Sequence, residues 1–255
     1  MTTTDYNFDD KVDRFAQRIY GDMKGILRFK QLWRDMSDCL PGIEHGQWQV
    51  WDAGGGLGQM SEKLATSGHR ILLNDISSNM LSEARRRIPE ELLPLIDIQH
   101  ASIQSIAANG GQFDLIICHA VLEWLCDPQS VITQLIGALK PGGYLSLAFY
   151  NAQALRWHNA IKGNFQQALS TTLTGHPGSL TPTHPQEPDE VLTQLQNEGL
   201  TVLRCAGVRV VYDYLRRELR EQRSVDNISA MEDALRLQPA FWRLGRYCHF
   251  IARRS

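Results

Sequence analysis

The run Val50-Trp51-Asp52-Ala53-Gly54-Gly55-Gly56-Leu57-Gly58 constrains this chain more than any other stretch. An apolar strand meets an acidic residue, then glycines at every second position, then the start of a helix. A second apolar strand, Ile71-Leu72-Leu73-Asn74, ends on Asp75, about twenty residues after the turn. Glycines in a strand-to-helix turn let a ligand lie against the backbone, where side chains would collide with it. An acid at the tip of the next strand can accept hydrogen bonds from both hydroxyls of a ribose. The pairing predicts an α/β domain that holds an adenosine.

The remaining elements agree. Residues 8–40 carry apolar side chains at helical spacing around Phe15, Ile19, Leu27, Leu32 and Met36, with Gly21 and Gly25 as interruptions. Strands are expected at 49–52, 71–75, 96–100, 113–118 and 144–149. Helices follow from about Gly58 to Ser67, from Asn79 to Ile88 capped by Ser77, and from Pro128 to Lys140-Pro141-Gly142-Gly143. Phe113-Asp114-Leu115-Ile116-Ile117-Cys118 has the continuous apolar character of a strand buried on both faces. Strands alternating with helices imply a parallel sheet with right-handed crossovers. After Tyr150 the pattern loosens into an insertion or lid with a proline-rich passage, Pro182 to Pro188. A helix over 189–198, a sixth strand over 200–211, an arginine-rich helical region over 212–237 and a seventh strand over 247–252 complete the chain. The expected organisation is one domain: an N-terminal helical cap (1–48), a core (49–150), the insertion (151–188) and a C-terminal part of the sheet (189–255).

Composition narrows the class further. Hydrophobic residues make up 43% of the 255, ample for a large core, yet no apolar run approaches the ~20 residues that span a bilayer. The polar, acidic start of the chain does not resemble a secretion signal. Five cysteines lie scattered without a C-x-x-C pair, which suggests reduced thiols in a cytoplasmic protein and neither a zinc site nor a disulfide framework.

The glycine turn also speaks against a dinucleotide. Its third glycine falls one position earlier than G-x-G-x-x-G requires, Gln59 occupies the vacated slot, and Asp52 would repel a pyrophosphate. A cationic cofactor tolerates that charge, and S-adenosylmethionine carries both a sulfonium and an ammonium. Asp52 to Gly58 resembles motif I of the class I S-adenosylmethionine-dependent methyltransferases. That resemblance implies a seven-stranded, mostly parallel Rossmann-like sheet with helices on both faces. Ligands in such sheets sit at the carboxyl ends of the strands. Gly54 and Gly55 should then face the methionine part of the cofactor, Asp75 the ribose, and Ser102 and Ile103 the adenine. His119, at the end of strand four, either orients backbone or touches ligand. Arg28 is either a solvent-facing helix arginine or a guanidinium for the cofactor's carboxylate.

Longer segments narrow the resemblance. Asn7-Phe8-Asp9-Asp10, Tyr20-Gly21 through Arg28, His119-Ala120-Val121-Leu122-Glu123-Trp124, Phe149-Tyr150-Asn151-Ala152, Gly207-Val208-Arg209-Val210, Asp213-Tyr214-Leu215-Arg216 and Leu244-Gly245-Arg246-Tyr247 resemble the bacterial tRNA 5-carboxymethoxyuridine methyltransferases. The resemblance spans nearly the whole chain and departs mainly at 160–190 and at Ser102-Ile103. It implies cofactor contacts at Arg28, Gly54, Gly55, Asp75, Ser102, Ile103 and His119, and a tRNA whose wobble uridine carries a carboxylate. A carboxylate is ionised at neutral pH, so no general base is assigned. Tyr150, Asn151, Arg209, Tyr212 and Arg246 are the candidates for holding the substrate.

Charge is uneven. From Arg204 onward 11 arginines face 6 acids, a surplus of five positive charges, whereas the whole chain carries −2. Such a region can track phosphates, with Tyr212, Tyr214, Trp242 and Tyr247 stacking on unpaired bases. Equally, Glu218 and Glu221 can pair with Arg217 and Arg220 on a solvated helix. Two rival functions remain open at this stage: methylation of a small carboxylic acid, and a binding module that holds the cofactor without turnover.

Overall fold

The computed structural model describes residues 5–7, 9, 23–170, 182 and 184–255. Its elements alternate as the periodicity requires. Helix α1 (Met23–Cys39) precedes β1 (Gln49–Ala53), α2 (Gln59–Thr66), β2 (Arg70–Asp75), α3 (Ser78–Arg87), β3 (Ile96–His100), α4 (Ile103–Ala108), β4 (Phe113–His119), α5 (Pro128–Gly137) and β5 (Leu139–Tyr150). Then come α6 (Ala152–Ile161), α7 (Phe165–Leu169), α8 (Pro188–Asn197), β6 (Leu200–Val208), α9 (Arg217–Gln222), α10 (Val225–Leu235) and β7 (Tyr247–Arg254). The seven strands form one sheet in the order β3-β2-β1-β4-β5-β7-β6. Pairings from β3 to β5 are parallel, and β7 runs antiparallel to both of its neighbours.

Period-two alternation splits the core into two layers. Trp51, Ile116, Leu147 and Phe149 face a layer closed by Ile103 and Ile106 of α4, Val131 and Leu135 of α5, and Leu195 of α8. Val50, Leu115, Ile117 and Ile251 face the other, closed by Leu32 and Met36 of α1, Leu64 of α2 and Leu81 and Ala84 of α3. The fully buried Trp51 keeps its indole N–H satisfied by donating to Asn74 Oδ1 at 2.7 Å. Ser77 caps α3, its hydroxyl accepting from the Met80 amide, and Arg85, Arg86 and Arg87 face solvent.

Several boundaries differ from the pattern. Helix α5 stops at Gly137, three residues before Lys140. The Phe113 amide donates to Ala138 O, and Phe113 pairs with Leu139, which draws 139–143 into β5 across a register shift. Gly25 lies inside α1, not at a break, while Gly21 and the helix expected before it fall outside the described residues. Strand β6 ends at Val208 because Arg209 turns the chain with φ 59°. The arginine-rich region is three short helices: a 3-10 turn Tyr212–Tyr214, then α9, then α10, which Ser224 caps by accepting from the Asn227 amide at 3.2 Å. In the 151–188 insertion, residues 171–181 and 183 lie outside the described residues.

Candidate active site

The turn after β1 is tied directly to the tip of β2. Gly55 N donates to Asn74 O at 3.1 Å, and Gly56 N to Asp75 Oδ2 at 3.0 Å. The other Asp75 oxygen accepts from Ser77 N at 2.8 Å. Gly54 takes φ 70°, and a Cβ there would stand 2.8 Å from a Val121 methyl. At Gly55 a Cβ would lie 2.5 Å from the Asp52 carboxyl carbon. Asp52 therefore sits directly beneath the turn, with its Oδ2 accepting from the Ser61 hydroxyl at 2.7 Å.

Over these carboxyl ends lies a cavity lined by Arg28, Gly54, Gly55, Asp75, Ile103 and His119. Six of the seven cofactor candidates thus line one cavity. Ser102 does not line it: its hydroxyl accepts from Ser105 N at 3.1 Å and caps α4. Sequence reasoning missed Asp5 and Tyr6, which lie across the cavity mouth. Asp5 accepts from Cys126 N at 2.8 Å and from the Gln104 side chain at 3.1 Å, and the Tyr6 ring stands 5.3 Å from Trp124. About a hundred residues or more separate these partners, so no local spacing signals the contact. The quoted Asn7-Phe8-Asp9-Asp10 string was the available hint. Asp9 accepts from the Ser77 hydroxyl at 2.6 Å and anchors the N-terminal segment at the β2 tip.

The carboxylates of Asp52 and Asp75 and the guanidinium of Arg28 line the cavity together. Burial pushes the Asp52 carboxyl up to about 6, and the Asp75 charge adds to the rise. Asp75 is also raised by burial, against the backbone amides of Ser77 and Gly56 that favour its ionised form. Burial above all holds His119 well below the usual imidazole range and keeps it neutral. Arg28 stands over the Tyr247 ring at 5.6 Å and has no carboxylate in ion-pair range among the described residues. A cavity lined by both acids and a guanidinium free of ion pairs among the described residues suits a ligand with a sulfonium, an ammonium and a carboxylate. Among the described residues no group of three His, Cys, Asp or Glu gathers as metal ligands.

Tyr247 joins this cavity to a second cluster. Arg209 lies over the same ring at 5.4 Å, and its Nε is 2.9 Å from Asp213 Oδ2. Arg246 stands over the Tyr150 ring at 5.0 Å, and its Nη1 is buried with no hydrogen-bond partner among the described residues. His158 and Tyr214 stand 5.8 Å apart beside them. Burial and then the Arg246 charge push His158 down to about 4, whereas burial raises the Tyr150 and Tyr214 hydroxyls. Neutral hydroxyls and two guanidiniums therefore face Asp213, which Arg209 and Arg246 keep ionised despite its burial. Arg209 holds a left-handed backbone that costs a non-glycine residue about 1–3 kcal/mol. The Glu232 carboxylate fixes that conformation by accepting from the amides of Val210, Val211 and Tyr212.

The other two substrate candidates stand back from this cluster. Asn151 is fully buried: its amide donates to Arg243 O at 2.7 Å and Gly245 O at 2.9 Å, while its oxygen caps α6. It shapes the chain leading to Arg246. Tyr212 is buried against Leu27 and Ile228, and Trp242 lies in the core, so neither presents a ring to a base. The exposed aromatic rings among the described residues include Trp157 and Phe165, on α6 and α7.

Residues 51–147 match the methyltransferase domain family. The chain is 36% identical over 252 residues to the tRNA 5-carboxymethoxyuridine methyltransferase of Escherichia coli O157:H7, covering 98% of this chain and 97% of that protein. Among solved structures it resembles magnesium protoporphyrin IX methyltransferase from Synechocystis PCC 6803 with bound SAH, at a TM-score of 0.62 and 20% identity. That match covers 97% of this chain and 96% of the other. It also resembles the N-methyltransferase NodS from Bradyrhizobium japonicum WM9 in complex with S-adenosyl-L-homocysteine, at a TM-score of 0.59 and 18% identity, covering 98% and 99% of the two chains.

Proposed function

The chain belongs to the tRNA 5-carboxymethoxyuridine methyltransferase family, and from that membership we propose that it methylates the carboxylate of 5-carboxymethoxyuridine in tRNA, forming the methyl ester. S-adenosylmethionine, when bound, supplies the methyl group on a sulfonium. Arg28 receives the cofactor's carboxylate and Asp75 its ribose hydroxyls. Ile103, Tyr6 and Trp124 enclose the adenine end, while Asp52 balances the positive charge from beneath the turn. The whole chain acts as one methyltransferase domain in the cytoplasm, and its substrate is the wobble uridine of the anticodon loop. No helix among the described residues is long and apolar enough to cross a membrane.

The observation that carries the substrate assignment is the buried, unpartnered Nη1 of Arg246 beside Tyr150, one residue from the Tyr247 ring that also borders the cofactor cavity. A buried N–H without an acceptor costs about 1–3 kcal/mol, which a substrate carboxylate relieves. The substrate oxygen is already ionised, so these residues align it with the methyl group and need not remove a proton. Arg209, held by Asp213, keeps a second positive charge nearby. The test is methyl transfer from labelled cofactor to tRNA lacking this modification, followed by nucleoside mass spectrometry. Wild type should place label on the carboxyl of 5-carboxymethoxyuridine, and Arg246→Met should lower kcat at unchanged cofactor affinity. Label on small carboxylic acids and none on RNA would overturn the assignment.

A further inference from the structure

Four buried or half-buried groups form a chain that crosses the sheet from the cofactor cavity to α1. His119 Nε2 lies 2.8 Å from Ser146 Oγ, Ser146 Oγ lies 2.8 Å from His249 Nε2, and His249 Nδ1 lies 2.8 Å from Asp35 Oδ2. The imidazoles meet edge to face, with centroids 5.3 Å apart. Ser146, His249 and Asp35 are fully buried, and only His119 reaches the cavity. Asp35 is bonded in turn by Arg236, through both guanidinium nitrogens, and by Arg204 at 3.2 Å.

We infer that Asp35, His249 and Ser146 are positioning residues that fix His119 in the tautomer whose Nδ1 is an acceptor, and that this nitrogen receives the ammonium of the bound cofactor's amino-acid end. The inference rests on the cofactor reading given above. Proton counting along the chain gives the direction. The ionised Asp35 accepts from His249 Nδ1, which leaves His249 Nε2 as the atom that decides. The Ser146 hydroxyl has one proton, so it donates to one histidine and accepts from the other. If it donates to His249, then His119 carries its proton on Nε2 and leaves Nδ1 free to accept. The opposite direction requires an imidazolium at His249, beside a carboxylate that two guanidiniums already neutralise. It would also aim a donor at a cation. With Arg28 as donor to the carboxylate and His119 as acceptor for the ammonium, the wall matches both charges of an α-amino acid.

Nitrogen-detected NMR of the histidine-labelled full chain tests this directly. His119 should show a protonated Nε2 and an unprotonated Nδ1 both before and after S-adenosylhomocysteine is added. Ser146→Ala should weaken S-adenosylhomocysteine binding by about tenfold, the size of one charge-assisted hydrogen bond. It should leave binding of the analogue lacking the α-amino group unchanged. The Ser146→Ala and His119→Ala losses should be non-additive in the double variant, as expected when one residue acts through the other. A proton on Nδ1 of wild-type His119, equal losses for the two ligands, or additive losses would each overturn the relay while leaving the cofactor reading intact. A wild type that binds no S-adenosylhomocysteine would instead overturn the cofactor reading on which the relay depends. The wild-type spectrum decides the tautomer even if Ser146→Ala does not fold.

Discussion

Asp52 gives the sharpest quantitative handle on the turn. Its carboxyl is buried under Gly55 and pushed from 3.8 to about 6, chiefly by desolvation. At about 1.4 kcal/mol per pKa unit, holding it ionised at pH 7 costs about 3 kcal/mol of folding free energy. Because the folded carboxyl binds its proton more tightly than the unfolded one, this penalty is absent below pH 4. Stability is lost as pH rises from about 4 through about 6. The like-charged Asp75 is itself raised by burial and repels Asp52, so the observed midpoint belongs to the pair. Asp52→Asn removes one member, and an amide oxygen can still accept from the Ser61 hydroxyl. Urea unfolding at pH 4, 5, 6 and 7 should therefore show the variant gaining on wild type as pH rises, by about 2–3 kcal/mol at pH 7. Calorimetry should show the reverse for S-adenosylmethionine: weaker binding to Asp52→Asn, and wild-type affinity that rises with pH across the same window. Parallel stability profiles for the two proteins would refute the claim that the turn stores an ionised acid for a cationic ligand.

Three further substitutions probe the frame. Gly54→Ala forces φ 70° on a residue with a Cβ and pushes it 2.8 Å from Val121, so cofactor affinity should fall with about 1–3 kcal/mol of lost stability; wild-type values for both in calorimetry and thermal unfolding would remove the turn geometry from the account. Glu232→Gln puts an amide where a carboxylate accepts from three backbone N–H groups and Gln31. It should cost about 2 kcal/mol and slow turnover more than it weakens cofactor binding, because Arg209 loses its fixed backbone; a kcat equal to wild type would detach Glu232 from the substrate side. Ser77→Ala removes the α3 cap and one of the bonds that anchor Asp9, which keeps those from Asn79. Its expected loss is about 1 kcal/mol of stability, with faster amide exchange at Tyr6, and unchanged exchange there would mean that the N-terminal segment is held without the Ser77 hydroxyl.

The sheet and the set of residues that line the cavity were legible because their signals are local. Glycine spacing, the acid at the β2 tip and uninterrupted apolar runs each reside within ten residues or so, the length of one strand and turn. Ser102 stays out of the cavity lining by the same local logic: a hydroxyl just past β3 caps the next helix as readily as it meets a ligand, and here it caps. Asn151 follows the same rule at the head of α6. What sequence could not reveal are contacts closed by the fold itself. Tyr6 meets Trp124, and Asp35 meets His249 and Arg236 across about two hundred residues, with no periodicity to announce them.

The arginine-rich C-terminal third shows why summed charge is a poor guide to a nucleic-acid surface. Arg204 and Arg236 bind Asp35, Arg209 binds Asp213, Arg217 binds Glu221 and Arg243 binds Asp189. Arg220 and Arg254 donate to backbone carbonyls, and Arg253 lies over Tyr144. Each of these guanidiniums already has an acceptor or a ring, so a phosphate would have to compete for it. In this region only Arg216 and Arg223 combine exposure with a side chain that makes no ion pair or hydrogen bond among the described residues. If those two supply the region's phosphate contacts, the slope of log affinity against log salt for tRNA should flatten by no more than about two when both become glutamine. Substituting Arg236 should instead lower the thermal midpoint, since Asp35 is fully buried and loses the guanidinium that pairs with both of its oxygens. A steeper loss of salt dependence than two phosphates allow would mean that the internally paired arginines exchange their partners for RNA.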